Sequence, residues 1–153
     1  MKTIIVGVGN PILGDDGIGV HIVQHLKEQL HDRSDIVIEE AMTGGMNLLD
    51  LIIGFDRAIL VDAIQQKTEE VGTVKRLDFD ELHSVHSCNP HDVSLVESIQ
   101  LAKKLGEEKI PKNICIIGIV LHELPIEFSE TISTAVSSAI PTAVDMILSE
   151  ISG

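Results

Sequence analysis

Hydrophobic and polar residues fall in blocks along this chain, and the period inside each block changes. Four runs rich in β-branched residues, Thr3 to Val8, Ile36 to Glu40, Ala58 to Ala63 and Asn113 to Val120, are almost continuously apolar. That pattern marks strands covered on both faces, the habit of parallel sheets. Between them the period becomes helical. Gly17 to Leu30 sets Ile18, His21, Ile22, His25, Leu26 and Gln29 at helical spacing, and Gly45 to Ile53 does so with Met46, Leu48, Leu49 and Ile52. The chain therefore begins β-α-β-α-β.

Gly72 to Leu77 alternates well enough to be an added edge strand, expected to run antiparallel. Asp78 to Cys88 has no clear period and reads as a loop with room for a helical turn. Asn89-Pro90-His91-Asp92 reads as a helix start, with Asn89 as N-cap, Pro90 at the first helical position and Asp92 in the first turn. His91 is thus expected at a helix N-terminus, and this helix should stop near Gly106. A last helix is expected from about Ser129 to Ser149, kinked at Pro141. With no repeat or linker in between, residues 1–153 are expected to form one domain, a three-layer α/β sandwich. Its mostly parallel, twisted sheet should have about five strands, with helices on both faces.

Composition narrows the functions open to such a fold. A chain of 153 residues can bury roughly 70% of its unfolded surface without a disulfide or metal staple. Net charge is −13, there is no Lys/Arg cluster, and the only aromatics are three Phe. Such a surface repels phosphate backbones and offers few stacking platforms, which argues against nucleic acid and favours a neutral or basic polypeptide partner. No apolar run approaches the roughly 20 residues of a membrane span. Residues 1–7 lack the run and cleavage site of a signal peptide, so the cytosol is expected. Cys88 and Cys115 are too few for a disulfide framework and read as reduced thiols.

Open parallel sheets bind ligands outside the carboxyl ends of their strands, where strand order reverses. In the usual winding the first and third strands meet there. The loop Gly9-Asn10-Pro11-Ile12-Leu13-Gly14-Asp15-Asp16-Gly17 leaves the first, and the third ends in Val61-Asp62-Ala63, so Asp15, Asp16 and Asp62 are drawn toward one crevice. Phosphate-loop readings fail: Ile12 stands where a dinucleotide fingerprint needs its third glycine, and Asp15 and Asp16 follow Gly14 where a P-loop needs Lys and Ser/Thr. Either acid could instead cap a helix, and His91 could be a surface histidine. An acid closing an apolar strand has to be solvated, paired or coordinated, and Asp62 is such an acid. The dipole at a helix start disfavours imidazolium, keeping His91 in the neutral form a metal requires. Two carboxylates and one imidazole suit Zn²⁺ or Ni²⁺ and leave a coordination position open. These three residues are far apart in sequence, so the fold has to bring them together.

Other constellations are weaker. His122-Glu123 begins like a zinc-peptidase helix, but Ile126 replaces the second histidine and Pro125 breaks the helix. There is no G-x-S-x-G elbow. His83, His86 and Cys88 with His91 form a second, softer ligand set in a segment without a rigid frame. His122 reads as an exposed loop residue or as support for the same sheet edge, and Met42 and Met46 as packing residues.

Together these pieces resemble one known family. Gly7-Val8-Gly9-Asn10, then Gly14-Asp15-Asp16-Gly17-Ile18-Gly19, Thr43-Gly44-Gly45-Met46, Val61-Asp62-Ala63 and Asn89-Pro90-His91 are similar to the motifs of the hydrogenase maturation endopeptidases, over nearly the whole chain. The resemblance implies a small, monomeric, cytosolic α/β peptidase. Its implied substrate is the nickel-loaded large-subunit precursor of a nickel-iron hydrogenase, which loses its C-terminal extension after nickel insertion. It also implies that Asp16, Asp62 and His91 bind the metal, nickel that the substrate itself could supply, with Zn or Cd able to substitute. Two stretches depart from the family pattern, Glu40-Ala41-Met42 and Leu121-His122-Glu123. Both lie where substrate could be read and bear on which hydrogenase is served.

The expected chemistry is metal-assisted hydrolysis of a peptide bond, with Asp15 the nearby carboxylate available to manage a proton. The alternative is a noncatalytic nickel chaperone or sensor built on the same three ligands.

Overall fold

The first apolar run forms β1 (Thr3–Val8), buried at every position. The computed structural model describes residues 1–42, 46–79, 90–123, 125 and 127–152, without the side chains of residues 46–47 and 90–96. A 3₁₀ turn (Gly14–Gly17) follows β1 and leads into α1 (Ile18–Gln29). Next come β2 (Ile36–Ala41), α2 (Met46–Ile52), β3 (Arg57–Gln65) and β4 (Val74–Asp78). The chain finishes with α3 (Pro90–Lys104), β5 (Asn113–Leu121), α4 (Thr134–Ser137) and α5 (Ile140–Ser152).

The five strands form one sheet in the order β2-β1-β3-β5-β4. All pairs are parallel except β4–β5, so the expected antiparallel edge strand is present. Alternation along the strands divides the core in two. Ile4, Val6, Leu60, Ile64 and Ile116 pack under α2 and α3, against Leu48, Leu49, Ile52, Ile99 and Ala102. Ile5, Ile59, Val61 and Ile117 pack under α1, α4 and α5, against Ile18, Ile22, Leu26, Val136 and Ile147. Each fully buried Ile or Leu contributes roughly 1.5–3 kcal/mol, which explains why these strands tolerate almost no polar residue.

Three expectations change. The region expected as one kinked helix is two, α4 and α5, and Ser129 instead pairs with the loop after β1, donating from its N–H to the Ile12 carbonyl at 2.8 Å. Pro141 is the second residue of α5, where a missing N–H costs nothing, so it opens a helix rather than bending one. Strand β3 does not end at Ala63 but runs on to Gln65, held there by β5. Met42, expected to pack, is 58% exposed. The loop expected around Asp78 to Cys88, the Asn89 cap and Thr43-Gly44-Gly45 lie largely or wholly outside the described residues.

Candidate active site at the β1–β3 switch point

Strand order reverses between β1 and β3, since β1 leads to β2 on one side and β3 leads on to β5 and β4 on the other. The β1–β3 ladder stops at Gly7 opposite Val61. Asp62 is the next residue, still paired with Gly118 of β5 but past the last residue of β1 that faces β3. It is 1% exposed. Its Oδ1 accepts a hydrogen bond from the Ala63 N–H at 2.8 Å. Alternation with Leu60 and Ile64 sets it on the α2–α3 face of the sheet.

Two glycines bring the loop after β1 down onto this crevice. Gly9 has a φ of 139°, open to glycine alone, and a Cβ there would run into the Asp16 carbonyl oxygen. A Cβ on Gly19 would strike the carbonyl oxygens of Val61 and Val8, so α1 starts directly against the rim of both strands. The 3₁₀ turn carrying Asp16 consequently lies against β3. Asp16 is 8% exposed, and its Oδ2 accepts the Asn10 N–H at 2.9 Å. Asn10 in turn accepts the Ile12 N–H on its Oδ1, closing a side-chain turn that fixes the loop.

Asp15 points elsewhere. Its Oδ1 accepts the Ser133 N–H at 2.7 Å, which caps the start of α4. Neither acid caps α1, whose N-cap is Gly17.

Helix α3 carries the third expected residue, His91, in its first turn. Its exit lies at the amino edge of the sheet, where the Lys109 carbonyl accepts the Gly54 N–H just before β3, and Lys103 stands over the Phe79 ring. Its start therefore lies at the carboxyl rim, on the face that carries Asp62. Ile99 packs in one cluster with Ile114. His91 is the second residue of α3, and its imidazole lies outside the described side chains. No group of three or more His, Cys, Asp or Glu side chains able to hold a metal occurs among the described residues, and that set lacks the imidazole.

The donor set fits a divalent cation. Two buried carboxylates stand at one rim, Asp16 8% and Asp62 1% exposed. Their hardness, with an imidazole as third donor, suits Zn²⁺ or Ni²⁺.

Residues 20–150 match the HycI family, described as hydrogenase maturation protease. The chain belongs to the hydrogenase maturation protease family. Its relatives include the hydrogenase 2 maturation protease of Escherichia coli, 30% identical over 126 residues, with 81% of this chain and 76% of that protein covered. A putative hydrogenase maturation protease of Methanocaldococcus jannaschii is 31% identical over 152 residues, covering 97% and 95% of the two chains. Among solved structures, the hydrogenase maturating endopeptidase HybD from E. coli superposes with a TM-score of 0.80 at 27% identity, over 99% of this chain and 92% of that one. As a member of this family the chain is a processing endopeptidase, a hydrolase of peptide bonds. No helix among the described residues is long and apolar enough to cross a membrane.

Sequence reasoning missed Asn10, whose two hydrogen bonds shape the loop, and the contact between Asp15 and Ser133, which spans 118 positions. An Asn-Pro dipeptide signals a turn and could have exposed the first. No local signal announces the second. His122 lies exposed after β5 and bonds through its Nε2 to the Glu69 carbonyl, tying the loop before β4 to the sheet. Cys115 is a buried free thiol, and burial pushes its pKa up to about 11. Cys88, His83 and His86 lie outside the described residues.

A second polar cluster sits at the opposite, amino edge. Arg76 bonds Glu150 through Nε and Nη2, each at 2.8 Å, and Asp78 through Nη1 at 2.7 Å. The guanidinium holds the Glu150 carboxyl below its ordinary value against the opposing effect of burial. These charges are paired with one another and clamp the end of α5 to β4.

Proposed function

We propose that the chain removes the C-terminal extension of a nickel-iron hydrogenase large-subunit precursor, at a metal centre made by Asp16, Asp62 and His91. The position of Asp62, 1% exposed beside the point where strand order reverses, with buried Asp16 on the loop that leaves the neighbouring strand, carries this reading. A divalent ion held there would polarise the scissile carbonyl and lower the pKa of an attacking water. Asp16, Asp62 and His91 would hold and orient that charge. Asp15 keeps Oδ2 for a proton, because Oδ1 is bound to Ser133. The precursor's own nickel serves as the ion when it arrives as part of the substrate, with Zn²⁺ or Cd²⁺ as substitutes; cleavage then checks that nickel has been inserted. The protein acts as a cytosolic monomer.

The test is mass spectrometry of purified precursor after incubation. Nickel-loaded precursor is expected to lose its tail with the wild-type protein and to keep it with Asp16→Asn or His91→Ala, whose melting temperatures should stay close to wild type. A noncatalytic chaperone would leave the precursor mass unchanged in every case, and full activity in either variant would remove that residue from the reaction.

A further inference from the structure

The loop after β1 and the loop after β5 meet at the carboxyl rim through one parallel bridge, Leu13 to Ser129, with Gly14 donating to the Ser129 carbonyl at 2.7 Å. Beside this bridge lies an open groove of about 540 Å³ whose lining includes Asp15, Glu123, Pro125, Glu127 and Ser133. Among the described residues three acids line it and no Lys or Arg does. Two large apolar side chains flank the same bridge in solvent, Phe128 at 80% and Ile12 at 44% exposure. Phe128 stands between two groove residues, and the Ile12 carbonyl accepts the Ser129 N–H. Phe128 and Ile12 together offer apolar area beside the recess for a partner to bury.

We propose that this groove docks an extended, basic segment of the precursor, with Ile12 and Phe128 gripping its apolar side chains. The occupant follows from charge: a groove whose charged lining residues are all acids, on a chain of net charge −13, attracts a cationic polypeptide and repels an acidic one. Its place follows from Asp15, which lines the groove and is joined to Asp16, so a segment held here enters the carboxyl rim directly. The bonds Asp15 to Ser133 and Gly14 to Ser129 make the groove a preformed surface rather than one assembled on binding. This inference rests on the precursor being the substrate.

Docking is read apart from cleavage by calorimetric titration of the nickel-loaded precursor into wild-type protein and into Asp16→Asn. Glu123→Lys with Glu127→Lys is expected to raise Kd about tenfold or more at low salt and to flatten the salt dependence that wild type shows between about 50 and about 300 mM NaCl. Phe128→Ala is expected to raise Kd about fivefold with no change in salt dependence. All three substituted side chains are exposed, so melting temperatures should not move. A Kd indifferent to both variants overturns the docking groove even if the wild type cuts the precursor. Charge-dependent binding without cleavage supports the groove and overturns the protease reading, and no binding by the wild type overturns both.

Discussion

Asp15 and Asp16 sit side by side in one 3₁₀ turn yet bind in opposite directions, Asp16 inward to Asn10 and Asp15 outward to Ser133. That division comes from backbone geometry, because successive residues of a tight turn project to different sides. It also separates two roles for Asp15 that a simple deletion would confuse. Asp15→Asn keeps an oxygen to accept the Ser133 N–H but loses the capacity to take a proton. We expect the melting temperature to hold while the cleavage rate, measured by tail loss with nickel-loaded precursor, falls about 100-fold. A rate unchanged within threefold would leave Asp15 as the cap of α4 and nothing more.

At the scale of elements, charge clamps matter where hydrophobic packing runs out. Strand β4 buries only Leu77 of its five residues, and its hold on α5 is the Arg76–Glu150 pair. Glu150 has its folded pKa lowered below the ordinary 4.5, first by the hydrogen bond from Arg76. Its contribution to stability is therefore present above the unfolded pKa and is lost as pH falls through the lower folded one. Glu150→Gln should cost on the order of 1 kcal/mol near neutral pH, the small figure reflecting that Arg76 is partly exposed. In thermal melts the gap from wild type should close below about pH 4, and a gap that is constant or widens in acid would refute the assignment. The same scale shows what could be read from sequence. Strands β1, β3 and β5 were legible because burial on both faces leaves uninterrupted apolar runs, the edge strand β2 showed only in its β-branched start Ile36-Val37-Ile38, and helices α1 and α2 showed their stripe. The split into α4 and α5 was hidden, since the pairing that pulls Ser129 out of a helix is made with Ile12 and Gly14, far away in sequence. Asp62 was legible as the lone acid in an apolar run, but the extension of β3 beyond Ala63 depends on β5 and left no local sign.

Across the whole molecule, the two edges of the sheet have different electrostatic character. The amino edge gathers Arg57, Arg76, Lys103 and Lys112 around a cleft of about 660 Å³, with Arg76 tied to Asp78 and Glu150. The carboxyl rim collects Asp15, Asp16, Asp62, Glu123 and Glu127, the concentration of negative charge that both a cation and a basic segment would seek. Strand order places that rim's deepest acid at the switch point, and α3 begins at the same rim with His91 in its first turn. The most direct measurement is anomalous X-ray diffraction from crystals soaked in Cd²⁺ or Ni²⁺. The account predicts one dominant peak bonded to carboxylate oxygens of Asp16 and Asp62 and to an imidazole nitrogen of His91, each at about 2–2.5 Å. A metal bound elsewhere, or an imidazole of His91 too distant to share an ion with the two acids, would contradict it.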